Sequence, residues 1–434
     1  LARHALMVVA FDSQLKWAMS LAGEFEARGW RYSVVVPAET RSALSTDQLA
    51  AAGLDDVQRV PWRALLARAR LADCVVLALQ GTLVARFTDE LAVLRRDDPA
   101  GREPVVVAGW VGIIIEKLVA GYLDRAGADV VAVNSADNLR AFTDTGRWLG
   151  IPPDNLLLSG LPLLPARPEP AGTGPIRTVL FADQPTVPKD RWDRAYVYQR
   201  LLDYADAHPD RRVLLKPRHR PEEGTFHVMQ DHPETVLRRL GPAPANFAVV
   251  YDSVTTLLPT TDLVLTVSST AGLEAIGAGV RTVFVADLGI HEKHGNQVLV
   301  ESGLVASFAD VIDDRIPQAN PAWLEDVFVG GDLRPTARIV ARVEDLVDVD
   351  PARRPSRTVA ADRYLSGRVA VRELRRGLPS IARDPADAPR GAGRWQPVLL
   401  SLARRGDHLL RGLLPGSWHR AVLNVWRSLP TSVR

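Results

Sequence analysis

Short apolar runs and helix-spaced apolar positions alternate along this chain from its first residues. Residues 5–10, 31–36, 74–79, 105–108 and 130–133 read as strands, most of them apolar on both faces. Between them, 15–28, 84–95, 114–125 and 138–148 place apolar residues on one face of a helix. A Pro- and Gly-dense stretch at 160–175 then breaks the pattern and reads as a linker. Afterwards it restarts, with strands at 178–182, 213–216, 248–251, 263–267 and 282–285 and helices at 195–208 and 273–278. Alternation of this kind predicts parallel sheets covered by helices on both faces. The expected fold class is therefore α/β, with two Rossmann-like, doubly wound parallel-sheet domains at 1–160 and 177–350, a linker at 161–176, and a basic helical extension over 351–434.

Composition changes this picture at a few points. The 434 residues are 47% hydrophobic, enough to bury sizeable cores. A formal net charge of +2 argues against a surface that coats nucleic acid, so no nucleic-acid partner is expected. The single cysteine, Cys74, permits neither an internal disulfide nor a cysteine zinc site and fits a reducing compartment. No signal segment and no membrane-spanning apolar run is visible, so the expected location is cytoplasmic. Charge is unevenly spread, however. Residues 394–434 interleave arginines with Trp395, Trp418 and Trp426 over a leucine-rich helical pattern. Such a segment fits either an anionic membrane surface at the inner face of the plasma membrane or a helix packed on the body.

Candidate chemistry gathers at the carboxyl ends of the predicted strands, where open α/β sheets bind ligands. Ser268, Ser269 and Thr270 follow the 263–267 strand and start a helix. Unpaired N–H groups and the helix dipole there favour a phosphate by about 0.3–1 kcal/mol, rising to about 2 when partly buried. A plain N-cap needs only one hydroxyl, and Gly272 removes the reciprocal capping-box partner of Ser269. Lys216, Arg218 and His219 crowd the end of the 213–216 strand, and Lys216 is one of only five lysines. The alternative there is a solvated basic loop. Asp12, Ser13 and Lys16 follow the first strand, with a helix cap as the alternative reading. Asp183 and Gln184 enter a loop stiffened by Pro185 and Pro188. His291, His294 and Asn296 follow the 282–285 strand in what is otherwise a surface loop.

Several motifs fail. No glycine-rich phosphate loop or dinucleotide fingerprint follows a first strand, which leaves ATPase and dehydrogenase readings without support. The histidines of His291-Glu292-Lys293-His294 are three apart rather than four, and Ser268 lacks the flanking glycines of a hydrolase elbow. Asp348-Val349-Asp350 follows a C-terminal helix rather than a nucleotide-binding strand. No metal site is expected.

Two Rossmann-like domains, the Ile151-Pro152-Pro153-Asp154-Asn155 to Ser159-Gly160-Leu161-Pro162 crossover, the basic strand end and the Ser268-Ser269 turn together resemble GT-B glycosyltransferases. Within these the chain is most similar to bacterial sialyl-, polysialyl- and Kdo-transferase-like enzymes and CDP-glycerol glycerophosphotransferases, and to uncharacterised glycosyltransferases of GC-rich bacteria. Those enzymes carry a His-Pro and a Ser-Ser motif, and here His219-Arg220-Pro221 stands in place of adjacent His-Pro. The resemblance implies that Ser268 and Ser269 bind donor phosphate and that His219 lies near the nucleotide or leaving phosphate. It further implies a nucleotide-sugar donor on the second domain, a carbohydrate or lipid-linked acceptor entering from the first, and inverting, metal-independent transfer with no cofactor. Asp12 is the expected base. A glycerophosphotransferase, a nucleotide-sugar epimerase and a non-catalytic envelope-assembly protein share the same frame.

Overall fold

A computed structural model describes residues 2–40, 44–97, 103–115, 118–221, 231–329 and 333–354. The chain divides into two compact units, Leu1–Leu365 and Ser366–Arg434, and the second lies outside the described residues together with most of the basic extension.

Seven strands form the first sheet: β1 (His4–Val8), β2 (Arg31–Pro37), β3 (Gln58–Val60), β4 (Cys74–Leu77), β5 (Val105–Gly109), β6 (Val130–Val133) and β7 (Leu156–Leu158). Their order is β3-β2-β1-β4-β5-β6-β7 and every pairing is parallel. The second sheet holds β8 (Thr178–Ala182), β9 (Arg212–Lys216), β10 (Phe247–Val249), β11 (Leu263–Thr266), β12 (Arg281–Val285) and β13 (Val305–Ala306) in the order β10-β9-β8-β11-β12-β13, again all parallel. Chain order reverses between β1 and β4 and between β8 and β11. Those two switch points open the crevices in which such sheets bind ligands.

Crossover helices cover the first sheet: α1 (Asp12–Ala27), α2 (Thr46–Ala51), α3 (Trp62–Ala69), α4 (Gly81–Asp97), α5 (Leu118–Leu123) and α6 (Ala136–Leu149). The second sheet is accompanied by α7 (Arg191–Ala207), α8 (Pro233–Leu240), α9 (Val254–Leu257), α10 (Thr270–Gly277), α11 (Phe308–Ile312), α12 (Pro321–Phe328) and α13 (Pro335–Val347). The two doubly wound sheets are those the alternation predicts. None of the described helices is long and apolar enough to cross a membrane.

Helix α13 has an unexpected destination. It follows the second sheet in sequence, yet Ile339, Val340, Val343 and Leu346 are buried with Trp17, Leu21 and Phe25 of α1 and with Val105 and Val107 of β5. Ion pairs reinforce this return, Arg28 to Glu344 at 2.7 Å and Arg3 to Asp348 at 2.7 Å. Arg354, just beyond, is buried and donates to the Pro104 carbonyl at 2.8 Å. Both ends of residues 2–354 are thereby fixed to the first sheet.

Candidate active site

The first crevice wall is built by α1. Its N-cap is Phe11, without a side-chain cap, and buried Gln14 instead folds back to accept the Ala10 N–H at 2.9 Å. That frees Asp12 from capping and leaves it in the first turn, with Ser13 half-buried beside it. From the second sheet, β9 ends at Lys216, and Arg218 just beyond donates to Asp12 Oδ2 at 3.4 Å. Lys16, one turn along α1, lies 3.6 Å from the same oxygen. Residues 206 positions apart in sequence therefore meet across the crevice.

Two further groups complete this cluster. Lys216 donates to the Pro217 carbonyl at 3.1 Å, and its pKa is pushed down to about 8, by burial first and then by Lys16 and Arg218, against the pull of Asp12 and Glu274. Glu274, one turn into α10, is pushed up from the ordinary carboxylate range by burial, against Lys16, Arg218 and Lys216. Three cations and two carboxylates thus share one site, with Lys216 and Glu274 on its buried side and Lys16 and Arg218 partly exposed. Glu274 was not anticipated; its signal in the sequence is a lone acid in the otherwise apolar helix TAGLEAIG.

The three consecutive hydroxyls have three different surroundings. Ser268 is buried, its Oγ donates to the His294 carbonyl at 2.6 Å, and its N–H donates to Gln184 Oε1 at 3.0 Å. Ser269 is the N-cap of α10, its Oγ accepting the Ala271 N–H at 3.2 Å. Thr270 stands at the junction of the two sheets: a Cβ placed on Gly112 would sit 2.7 Å from its Oγ1. The hydroxyl turn therefore ties down loops and caps a helix, and Thr270 is the member that faces the first sheet.

Gln184 and Asp183 divide similarly. Asp183 is buried, and Arg194 Nη1 donates to both its oxygens at 3.0 and 2.9 Å. Burial pushes the Asp183 carboxyl up, opposed by Arg194. The same guanidinium donates to the carbonyls of Gln184, Pro185 and Pro188, so this pair shapes the 184–188 loop that delivers Gln184 to Ser268. Asp183 holds the wall and has no open face toward a substrate.

In the loop after β12, Asn296 is buried and closes the turn on itself, donating to the Gly289 carbonyl and accepting the His291 N–H, both at 3.0 Å. His291 is exposed. His294 is 1% exposed, yet neither ring nitrogen has a partner. Burial and then Lys293 lower its pKa, which favours a neutral imidazole with one donor and one acceptor. At the end of β9, His219 Nδ1 lies 2.9 Å from the Arg220 carbonyl, and its buried Nε2 is unpartnered. His232 and Tyr251 adjoin it in a ladder, with ring centroids 5.8 Å apart for His219–His232 and 6.3 Å for the stacked His232–Tyr251 pair. Arg220 lies 4.7 Å over the Tyr251 ring. His232 and Tyr251 carried no sequence signal, because only the tertiary fold brings them to His219.

A loop from the first sheet, residues 110–115, spans the two walls. Asn134 Nδ2 donates to the Gly112 carbonyl at 2.9 Å, and Gln297 Nε2, from beside the His294 turn, donates to the Ile115 carbonyl at 3.0 Å. Arg125 anchors its root, donating to the Gly109 carbonyl at 2.7 Å beneath the Trp110 ring 4.3 Å away. Burial lowers the Arg125 pKa to about 10, against Asp124. Sequence periodicity extends a helix back to 114; in the structure α5 starts at Leu118, and Ile114 and Ile115 belong to the bridging loop.

A family model described as "Putative glycosyltransferase (DUF6716)" matches residues 5–346. No curated protein matches the chain by sequence. Among solved structures, it is similar to a "putative UDP-N-acetylglucosamine 2-epimerase" from Listeria monocytogenes, at 14% identity over 88% of this chain and 98% of that one, with a TM-score of 0.45. HepE from Anabaena, solved with UDP-glucose, gives 13% identity, 85% and 99% coverage and a TM-score of 0.45. MurG from Acinetobacter baumannii gives 12%, 80% and 99%, and 0.39.

Proposed function

This chain belongs to the DUF6716 family of glycosyltransferases, and we propose that it moves a sugar from a nucleotide-sugar donor to a hydroxyl of a cell-envelope polysaccharide or glycolipid, with inversion and without a divalent metal. The observation that carries this reading is the meeting of Asp12 with Arg218 inside the Lys16, Lys216 and Glu274 cluster. It sets a carboxylate of the acceptor-side sheet against cations of the other sheet. In the proposed reaction Asp12 takes the proton of the acceptor hydroxyl as that oxygen attacks the anomeric carbon. The bond from that carbon to the donor phosphate oxygen breaks, and the nucleotide leaves with the electron pair. A positioned base supplies about 10²–10⁴-fold, and fixed cations stabilise the departing charge. Lys216, Arg218 and the backbone of the α10 N-terminus fill that second role, which supports independence from a metal.

Further features support roles for other candidates. The His219–His232–Tyr251 ladder with Arg220 offers flat and cationic faces to a nucleotide. His294 offers an unpartnered donor and acceptor beside Ser268. We further propose that residues 1–160 receive the acceptor and 177–350 the donor, and that the 351–434 extension holds the enzyme at a membrane surface. The test is a thermal-shift panel of uridine, guanosine, thymidine and cytidine nucleotide sugars and CDP-glycerol. A ligand at about 100 times its dissociation constant stabilises by about 2.7 kcal/mol. No shift with any of them refutes the donor site, and selective response to CDP-glycerol redirects it to glycerophosphate transfer.

A further inference from the structure

The carboxyl end of the second sheet carries a feature that sugar transfer, as assigned above, leaves unused. Trp192 and Tyr196 lie four residues apart on α7 and so share one face of the helix, about one 5.4 Å turn apart. They are 70% and 43% exposed, whereas Tyr198 and Tyr204 of the same helix are fully buried. The helix start that carries Trp192 is fixed through its backbone, and Tyr196 is tied by its hydroxyl. Asp190 caps α7 by accepting the Trp192 N–H at 2.8 Å, Arg191 lies 5.0 Å over the indole, and Arg200 lies 5.9 Å over Tyr196, whose hydroxyl donates to Asp287 at 3.3 Å. Lys293, next to His294, reaches Asp193 at 3.5 Å, which joins this patch to the loop that Ser268 holds.

The charges around the rings select the class of ligand. Arg191, Arg200 and Lys293 are matched by Asp190, Asp193, Asp203 and Asp287, so the patch has no excess of positive charge. An anionic bilayer or a polyphosphate gains little from such a surface. Two rings also fall far short of the roughly 800 Å² per partner of a stable protein interface. A neutral sugar chain fits both halves of the patch. Its C–H faces lie on electron-rich ring faces, and its hydroxyls meet carboxylates and guanidinium groups at their edges.

We propose that Trp192 and Tyr196 form an accessory platform for an uncharged saccharide chain, holding an acceptor or growing glycan beside the crevice. The tethering role rests on the transferase reading, whereas the binding itself does not. The test is native affinity electrophoresis of the full chain through gels cast with dextran, mannan or galactan. At least one polysaccharide should retard the protein, Trp192→Phe should retain that retardation, and Trp192→Ala with Tyr196→Ala should weaken binding at least tenfold while leaving nucleotide-induced thermal shifts unchanged. No retardation by any of the three, or equal retardation of the double alanine variant, overturns the platform. Trp192-dependent co-sedimentation with anionic vesicles overturns it in favour of a membrane contact. Asp12→Asn should keep the retardation; if the wild type is retarded in a Trp192-dependent way but transfers no sugar, the platform stands and the transferase reading falls.

Discussion

Replacing Asp12 by Asn separates a catalytic role from a structural one, because the first is read in turnover and the second in stability and donor affinity. Asp12 makes one 3.4 Å contact with Arg218, whose side chain is 41% exposed, and a 3.6 Å contact with Lys16, which is 54% exposed. Ion pairs of this exposure contribute about 0–1 kcal/mol, and a carboxylate in the first turn of a helix adds about 0.3–1 kcal/mol. The nearly isosteric Asn should therefore cost at most about 3 kcal/mol of stability, read in unfolding rather than in turnover, and leave the Gln14 cap untouched. Loss of a general base instead lowers turnover by about 10²–10⁴-fold, or roughly 2.7–5.4 kcal/mol on the barrier at 1.36 kcal/mol per tenfold step. The assay pairs initial rates of sugar transfer, once the donor is known from the thermal-shift panel, with donor affinity by calorimetry. Turnover at least a hundredfold lower with donor affinity within about threefold of wild type is the expected result. Turnover within a few fold of wild type refutes Asp12 as base, and a matching loss of donor affinity reassigns it to holding Arg218.

Four other outcomes follow from the same geometry. Because Lys216 titrates near 8 in the folded protein, it is charged at pH 7 and loses its charge as pH rises through that value, so donor affinity should fall above pH 8; Lys216→Arg should remove that fall, and an unchanged profile in the variant rules Lys216 out. Ser268→Ala leaves the buried His294 carbonyl without its donor and should cost about 1–3 kcal/mol by denaturant unfolding, more than the roughly 1 kcal/mol of the cap lost in Ser269→Ala; equal costs would contradict the division of roles. Gly112→Ala places a Cβ 2.7 Å from Thr270 Oγ1 and should lower transfer through poorer seating of the 110–115 loop, with little effect on nucleotide affinity; transfer at the wild-type rate would show that the loop yields freely. Transfer should survive EDTA, and complete loss restored by magnesium or manganese would replace the cationic cluster with a metal design.

The architecture was legible wherever burial on both faces produced apolar runs. β4, β5, β6 and β11 are wholly buried, and each matches a strand read from the pattern, β5 running one residue past it to Gly109. β3, β7 and β13 are edge strands of two or three residues, too short to stand out as strands even where β7 is all leucine, and none was foreseen. Helix α13 shows a different limit. Its apolar stripe announces that it must be buried but not against what, and chain order suggests the second sheet while its side chains lie in the core of the first.

At the crevice the sequence locates residues better than it assigns their work. Strand ends and helix starts bring Asp12, Lys216, Arg218 and Ser268 to Thr270 to one region, since parallel sheets send every carboxyl end to the same side. Which of these side chains remains available depends on partners far away in sequence. In the sequence Ser268 reads as a phosphate ligand and Asp183 as a base, and in the fold the Ser268 hydroxyl donates to the His294 carbonyl while Arg194 encloses Asp183. Glu274 and Tyr251 show the reverse case, residues made relevant only by what folds against them. A hydroxyl or carboxylate at a strand end is thus a structural tie unless its protein partners leave it free. By that criterion Asp12, whose ion-pair partners among the described residues are the partly exposed Lys16 and Arg218, remains the strongest candidate for proton transfer.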